Sequence, residues 1–398
     1  MKKLTIIKLY YPLSLVIVLL LRTVIRPFIR VRFTAINESR IGLIARDVHI
    51  NRIKSLDWSR NHFRRDLVIY AVPNRNSANT FLSQMFQRET QFVTRNFGAS
   101  IYHAASKISG MTFITEHIPD YEGLLSKYSI FPKFTSSEVS NGNQFLESVG
   151  CVGDKKFVCL LVRDSAYISK RSPRKQDGYT SYRNSKVSSY LEATEALGDL
   201  GYHVFRMGSV MANALNSSHP NVVDYAKNGM RTEFLDIFLT AHCSFFLSTG
   251  SGLDEVAKIF RRPLTYLNFQ PIAADLNYTD VLVYPKILRD AKTNTLLTFR
   301  EIIERNLQFA YDTKLYELAN VTVTDMNSQE ILEVTLETVD RLNGSWNPTN
   351  QYLEAEEHLN KIFETIPEAR MRPEVNKGPS GRLASCFLER YPNFLDWN

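Results

Sequence analysis

The sequence predicts an α/β protein with two Rossmann-like, doubly wound domains that face each other across a cleft. Three observations lead to this prediction. The chain has 398 residues, a length that suits two domains of roughly 150–200 residues each. Its hydrophobic content of 44% and aromatic content of 12% exclude a disordered chain. From residue 32 onward, strand-like and helix-like segments alternate.

We predict four parts in chain order. Residues 1–31 form a hydrophobic and basic segment that associates with a membrane, and residues 32–145 form the first domain. Residues 146–350 form the second domain, and residues 351–398 form a helix and tail that pack back across the domains. The boundary falls in residues 110–150, which we expect to be irregular because they contain prolines and a long polar run.

Each domain shows the alternation that is typical of parallel sheets with right-handed crossovers. In the first domain we predict strands at 32–36, 66–72 and 91–94, with helices at 41–53 and 79–89. In the second we predict strands at 157–162, 202–206, 243–248 and 264–268, with helices at 190–200, 233–240 and 253–260. Ligands of such sheets bind beyond the carboxyl ends of the strands, so functional residues are expected there.

The positive charge is concentrated in the N-terminal tenth of the chain. The protein has 48 basic and 41 acidic residues, and residues 1–37 contain seven of the bases and no acid. The remaining residues are therefore balanced, at 48 − 7 = 41 bases against 41 acids. A nucleic-acid-binding protein needs a basic face on its folded domain, so this distribution argues against nucleic acid as a partner.

The N-terminal segment itself predicts contact with an anionic membrane surface. Residues 9–21 carry no charge, but a spanning helix needs about 20 apolar residues. Arginines follow at 22, 26, 30 and 32, among apolar residues. This pattern favours a helix lying in the membrane interface, at the cytoplasmic face of the inner membrane. A single-pass span is the alternative, and a cleaved signal peptide would need a small-residue cleavage site after the apolar run, which is not there.

Four segments at predicted strand ends carry candidate binding residues. The segment Ser248, Thr249, Gly250, Ser251 and Gly252 joins a buried strand to a helix, and its backbone amides and hydroxyls suit a diphosphate. The alternative is a capped turn whose glycines serve only chain geometry. Arg206, Met207 and Gly208 lie at the end of the strand at 202–206. Asp224 and Tyr225 lie at the end of a short strand that follows it in the chain. A guanidinium at position 206 could bind phosphate oxygens, whereas Asp224 alone is more often a cap or surface residue.

The fourth segment is the long connection after the strand at 157–162. It begins with Arg163 and Asp164, contains the basic run at 170–175, and ends with Tyr182, Arg183 and Asn184. Connections of this length at a strand's carboxyl end are usually functional, although a solvated basic loop without a ligand is the alternative.

Missing motifs narrow the chemistry. The chain has no Asp-x-Asp, no phosphate-binding Gly-x-x-x-x-Gly-Lys-Ser/Thr, no Gly-x-Gly-x-x-Gly and no Gly-x-Ser-x-Gly. We therefore predict no metal ion and no cofactor, and a phosphorylated donor held by cations and backbone donors.

Several segments together resemble a family of bacterial glycosyltransferases encoded in surface-polysaccharide gene clusters. The resemblance runs from about residue 30 to the C-terminus and is densest over 157–270. It is carried by Arg163-Asp164, Tyr182–Asn184, Arg206–Gly208, Asp224–Ala226, Phe234–Leu239 and Ser251-Gly252. It implies the GT-B fold, with a nucleotide sugar bound by the second domain and an acceptor by the first. It also implies that Arg163, Arg183, Arg206, Ser251 and Gly252 face the diphosphate, and that Asp224 and Tyr225 lie near the nucleoside.

The resemblance is weaker at the first turn of the first domain. Arg40-Ile-Gly42 matches the family, but Leu43 stands where the family usually has His, so the catalytic base is open. Asp47 and His49 are our candidates, and for His49 the alternative is a surface helix residue. We predict metal-independent transfer of a sugar, hexosyl or related, to a surface-polysaccharide or lipid-linked glycan. The alternatives are an inactive nucleotide-sugar-binding protein and a nucleotide-sugar epimerase.

Overall fold

The chain forms two compact units in a computed structural model that describes residues 2–72, 77–114, 120, 123–153, 155–171, 178–274, 281–365 and 381–397. The first unit comprises Met1–Val139 together with Lys258–Arg261. The second comprises Ser140–Ala257 and Arg262–Asn398. The change of unit lies six residues before the predicted boundary at 145.

The first unit is built on a four-stranded parallel sheet with the strand order β3-β2-β1-β4. Its strands are β1 (Ile29–Ala35), β2 (Arg65–Val72), β3 (Gln91–Thr94) and β4 (Thr112–Ile114). Its helices are α1 (Lys2–Leu20), continued by a π-helical turn Leu21–Ile25, α2 (Ile41–Asn61), α3 (Thr80–Gln87), α4 (Arg95–Lys107), α5 (Leu124–Lys127) and the start of α6 (Ser136–Ser148). The three predicted strands and both predicted helices of this region are confirmed, with shifted ends.

Helix α1 packs one of its faces against the first unit. Val18 is fully buried beside Val31, Phe33 and Ile101, and the Ser14 hydroxyl donates to the Ser100 hydroxyl at 2.9 Å. The opposite face remains exposed. Among the described residues, no helix is both long enough and apolar enough to span a membrane.

The second unit contains a seven-stranded parallel sheet with the order β13-β10-β9-β8-β5-β6-β7. Its strands are β5 (Phe157–Leu161), β6 (His203–Arg206), β7 (Val222–Val223), β8 (Phe246–Ser248), β9 (Leu264–Phe269), β10 (Val281–Pro285) and β13 (Arg382–Leu383). Strands β11 (Ile287–Asp290) and β12 (Val321–Thr324) form a separate antiparallel pair. The helices are α7 (Ala166–Arg171), α8 (Leu191–Asp199), α9 (Glu233–His242), α10 (Asp254–Ile259), α11 (Phe299–Glu304), α12 (Thr313–Leu318), α13 (Ser328–Asn343), α14 (Asn350–Thr365) and α15 (Ser385–Arg390).

The predicted α/β class with parallel sheets is confirmed. Strands β5, β8 and β9 are buried along their whole length, as expected for parallel strands that read as continuous apolar runs. Read from β7 to β10, the strand order is that of a doubly wound sheet, in which the order reverses between β5 and β8. The cleft between the two domains stays a prediction.

The prediction of irregular structure within residues 110–150 was wrong in part. The polar run at 135–143 lies largely in α6, because Thr135 and Glu138 form a capping box: the Glu138 amide donates to the Thr135 hydroxyl, and the Thr135 amide to the Glu138 carboxylate. The tail after α14 contains strand β13, which pairs with β10 at the edge of the sheet. Arg174 and Lys175 of the predicted basic loop lie outside the described residues.

Candidate functional site

The site is built where the strand order of the second sheet reverses. From β5 the chain continues toward β6 and β7, whereas from β8 it continues toward β9 and β10, so the loops after β5 and β8 diverge. Two hydrogen bonds join these loops at their base. The Thr249 amide donates to the Leu161 carbonyl at 3.1 Å, and the Arg163 amide donates to the Thr249 hydroxyl at 2.9 Å.

Two guanidinium groups lie together at this point. Arg163 donates to the Thr180 hydroxyl at 2.9 Å, and Arg183 donates to the Gly250 carbonyl at 2.7 Å. Burial, and then the positive charge of Arg183, lower the pKa of Arg163 to about 10. Among the described residues, the buried Nε of Arg183 has no hydrogen-bond partner. In the described part of the chain, neither arginine forms an ion pair with a carboxylate.

A hydrogen bond from Lys286 anchors the segment that carries Arg183. This lysine follows β10 and is 4% exposed; its ammonium donates to the Asn184 carbonyl and, at 2.6 Å, to the Asp325 carboxylate. Burial lowers the pKa of Lys286, and Asp325 partly offsets that effect. The neighbouring Tyr182 is buried with its ring 5.0 Å from that of Tyr316. Lys286 was missed from the sequence because β10 itself was not predicted.

The turn after β8 satisfies much of its own hydrogen bonding. Asp254 accepts from the Ser248 hydroxyl at 2.6 Å and from the Ser251 hydroxyl at 3.2 Å, as well as from the Ser251 amide. The Gly250 amide donates to the Ser248 hydroxyl at 3.0 Å. Gly250 has φ +87°, and a Cβ there would lie 3.2 Å from the Arg183 guanidinium. The turn is therefore a capped βα turn that also lets Arg183 approach; Gly252 is exposed in it.

Arg206 and Asp224, predicted to contact the donor, bind each other. Arg206 is fully buried and its guanidinium lies 3.2 Å from the Asp224 carboxylate, which also accepts from the Leu215 amide at 2.8 Å. A second nitrogen of Arg206 donates to the Asn213 carbonyl at 3.0 Å. These contacts close the loop between β6 and β7, and the predicted roles in donor binding stay predictions.

The remaining predicted residues lie in the same loops as the Arg163–Arg183 pair and the Arg206–Asp224 pair. Asp164 accepts from the amides of Ala166 and Ala212, at 2.9 and 2.8 Å, and so joins the loops after β5 and β6. Met207 is buried, and Gly208 has φ +147° beside Met211. Tyr225 is buried, and its hydroxyl donates to the Thr232 carbonyl at 3.1 Å.

The first sheet has the same reversal of strand order, between β1 and β4, and a carboxyl group lies just beyond it. Glu38 follows the last residue of β1 by three positions and is 6% exposed. Its Oε1 atom is buried without a hydrogen-bond partner among the described residues. Burial raises the pKa of Glu38 above its ordinary value, and a hydrogen bond with Ser83 partly opposes this. Sequence reasoning missed Glu38, although its position in the first βα turn could have indicated it.

The predicted bases lie further along, inside helix α2 rather than in the turn. Asp47 is buried and accepts from the Arg46 guanidinium at 3.1 Å. His49 has no exposed surface; its Nε2 donates to the Ile130 carbonyl at 3.1 Å and lies 3.5 Å from the Arg261 guanidinium. Burial, then the charges of Arg261 and Arg52, lower the pKa of His49 to about 3. His49 is thus a core residue of the first unit rather than a surface residue.

Among the described residues, no three His, Cys, Asp or Glu side chains lie close enough together to hold a metal ion. A concavity of about 520 Å³ is lined by Lys155, Lys156 and Tyr202. It lies at the amino ends of β5 and β6, opposite to the edge at which parallel sheets bind ligands, and we assign no function to it.

No family model matches the sequence, and no curated protein matches it. Several solved structures are distantly similar. E. coli ADP-heptose lps heptosyltransferase II has 15% identity and a TM-score of 0.43, covering 78% of this chain and 98% of its own. A glycosyl transferase of family 9 from Veillonella parvula has 9% identity and a TM-score of 0.40, covering 64% and 85%. E. coli heptosyltransferase WaaC, with ADP-2-deoxy-2-fluoro heptose, has 11% identity and a TM-score of 0.31, covering 64% and 92%. At these values the similarities carry no argument about function.

The Arg206–Asp224 pair yields a test of its structural role. Asp224→Asn should lower the free energy of unfolding by about 3–5 kcal/mol, because it leaves a buried guanidinium without its carboxylate. Urea unfolding followed by circular dichroism measures this change. The double variant Arg206→Met/Asp224→Asn, which removes both charges, should recover most of the loss. A single variant as stable as the wild type would contradict the role given to this pair.

Proposed function

We propose that the protein is a glycosyltransferase whose second unit binds the diphosphate of a nucleotide-activated sugar at Arg163 and Arg183. One observation carries this proposal: two partly buried guanidinium groups lie together at the reversal of strand order, and no carboxylate pairs with either among the described residues. Like charges held this way repel each other, and an anion between them would relieve that repulsion. A diphosphate is an anion of suitable charge and geometry for two guanidinium forks.

The same arrangement suits the chemistry of sugar transfer. When the glycosidic bond to the diphosphate breaks, negative charge increases on the leaving phosphate oxygens. Preorganised cations in a site of low exposure stabilise that charge more than water does. Arg163 keeps its proton at neutral pH because its pKa, though lowered, is still about 10. In this proposal the arginines do the work that a metal ion does in other transferases. Lys286 keeps Asn184, and with it Arg183, in place.

The arginine pair predicts a loss of donor affinity. Arg163→Gln and Arg183→Gln should each weaken the binding of nucleoside diphosphates about 10- to 100-fold, because a charged hydrogen bond contributes about 1.5–3 kcal/mol. Isothermal titration calorimetry with ADP, UDP, GDP and CDP measures the affinities. Lys292→Gln, at an exposed position of the same unit, is the control for loss of one positive charge. Wild-type affinity in both arginine variants would refute the diphosphate site.

We further propose Glu38 as the base that takes the proton from the acceptor hydroxyl. Three observations support it: its place beyond β1 at the reversal of strand order, an Oε1 atom with no hydrogen-bond partner in the described part of the chain, and its raised pKa. A base needs a lone pair that no other donor occupies, and a raised pKa makes it a stronger proton acceptor. Asp47 and His49 remain alternatives. His49 is the weaker of them, because it has no exposed surface and a pKa of about 3.

The base assignment predicts a specific pattern of activity. Glu38→Gln should lower turnover about 10²- to 10⁴-fold, the usual contribution of a general base, and leave nucleoside diphosphate affinity unchanged. In the wild type, kcat/KM should fall at acid pH with an apparent pKa above the ordinary Glu value of 4.5. Asp47→Asn and His49→Gln are matched controls, with thermal melts to confirm folding. If one of these controls loses turnover and Glu38→Gln does not, the base is not Glu38.

For the acceptor we propose a surface polysaccharide or lipid-linked glycan, used at the cytoplasmic face of the inner membrane. The support is the outer face of α1, where Leu9, Leu13 and Leu20 are 76%, 55% and 52% exposed. An apolar helix face of this kind can insert between lipid head groups and would hold the enzyme near a lipid-linked acceptor. Its inner face packs on the first unit, so substitutions on the outer face test the idea better than deletion of the helix.

A further inference from the structure

The exposed side of α1 is a continuous apolar stripe. Leu9, Leu13, Val16 and Leu20 are between 52% and 76% exposed, and they are spaced by four, three and four residues. This spacing places them on one side of a helix with 3.6 residues per turn. The stripe continues beyond the helix with Val24 and Phe28, which are 54% and 73% exposed.

A second exposed segment lies beside the end of this stripe, although it is distant in the sequence. It is the short loop His62–Arg64 between α2 and β2, and the side chain of Phe63 at its centre is fully exposed. Phe28 and Arg64 directly precede Ile29 and Arg65, which pair at the start of β1 and β2. The Arg64 guanidinium also lies 3.4 Å from the Arg26 carbonyl. The two segments therefore meet at the amino end of the first sheet.

Exposed arginines surround these apolar side chains. Arg22 and Arg26 lie on the N-terminal segment, and Arg60, Arg64 and Arg65 lie on or beside the loop. None of the five forms an ion pair within the described residues. The nearby carboxylate of Asp66 is buried, binds Arg32 and lies 3.8 Å from Arg30.

We infer that these residues form one composite surface that binds an anionic lipid bilayer: the α1 stripe, Phe28 and Phe63 as the inserting groups, and the five arginines as partners of lipid phosphates. This inference deepens the membrane association proposed above and rests on it. Charge complementarity and the apolar stripe together single out the bilayer. Lipid phosphates bind exposed arginines, and acyl chains accept apolar side chains. Nucleic acid would bind the arginines but would leave the stripe in water.

Substitutions in and beside the loop give the sharpest test, because these side chains are exposed and their replacement leaves the α1 stripe unchanged. Sedimentation of the full chain with vesicles should show binding to phosphatidylcholine vesicles that contain about a third phosphatidylglycerol, and much weaker binding to phosphatidylcholine alone. Arg60→Gln/Arg64→Gln should weaken the partition coefficient about 30-fold, which corresponds to about 1 kcal/mol for each charge. Phe63→Ser should weaken it about 10-fold or more, through lost apolar burial.

Matched controls lie in the second unit. Lys292→Gln/Lys314→Gln makes the same change in net charge at exposed positions, and Leu318→Ser replaces a side chain that is 80% exposed. Both should bind like the wild type. The inference is overturned if the loop variants bind anionic vesicles as the wild type does, or if the charge change alone, wherever it is made, weakens binding equally. Tight binding of a single-stranded oligonucleotide with no vesicle binding would also overturn it.

The outcome is separable from the proposals on which it rests. Leu13→Ser/Leu20→Ser should also weaken vesicle binding; if it does so and the loop variants do not, the membrane association stands and the composite surface fails. Nucleoside diphosphate affinity should stay unchanged in every loop variant. Vesicle binding requires no turnover, so the loss of the transferase proposal would leave this result interpretable.

Discussion

Two guanidinium groups that the fold holds close together repel each other, and the proposed function depends on that repulsion. Arg163 and Arg183 donate hydrogen bonds to neutral oxygens, and burial, followed by the charge of Arg183, lowers the pKa of Arg163. The surroundings maintain this strained pair: Gly250 leaves room for Arg183, and Lys286 holds the segment that carries it. Such an arrangement lowers the stability of the fold, and it is typical of a ligand-binding site.

Much of the site could be predicted because position in a parallel sheet is readable from sequence. Strands β5 and β8 are short buried apolar runs, so the residues that follow them were recognisable as candidates. Arg163 follows β5, and Arg183 lies at the end of the connection that begins there; their role in donor binding stays a prediction. The sequence did not show which charged residues pair with each other. Arg206 and Asp224 each looked available for a ligand, and only the pairing of β6 with β7 brings them together.

The misses have physical causes as well. Lys286 follows β10, and that strand was not predicted from the sequence. The position of Lys286 at the carboxyl end of the sheet could therefore not be predicted. The run at 135–143 lacks an apolar stripe, and its helix depends on a capping box that outweighs composition. For α1 the hydrophobic run was evident. Which face it buries depends on packing against α4, through residues such as Ser14 and Val18.

The central claim is that the second unit binds a nucleotide sugar for transfer. The most direct measurement is incubation of the full chain with a panel of nucleotide sugars, including ADP-, UDP-, GDP- and CMP-linked donors, followed by chromatography of the products. The account predicts slow hydrolysis of one donor without acceptor, because water can replace the acceptor hydroxyl, and loss of that hydrolysis in Arg163→Gln. Isomerisation of the donor would indicate an epimerase, and binding without change a sensor; either result would contradict the account.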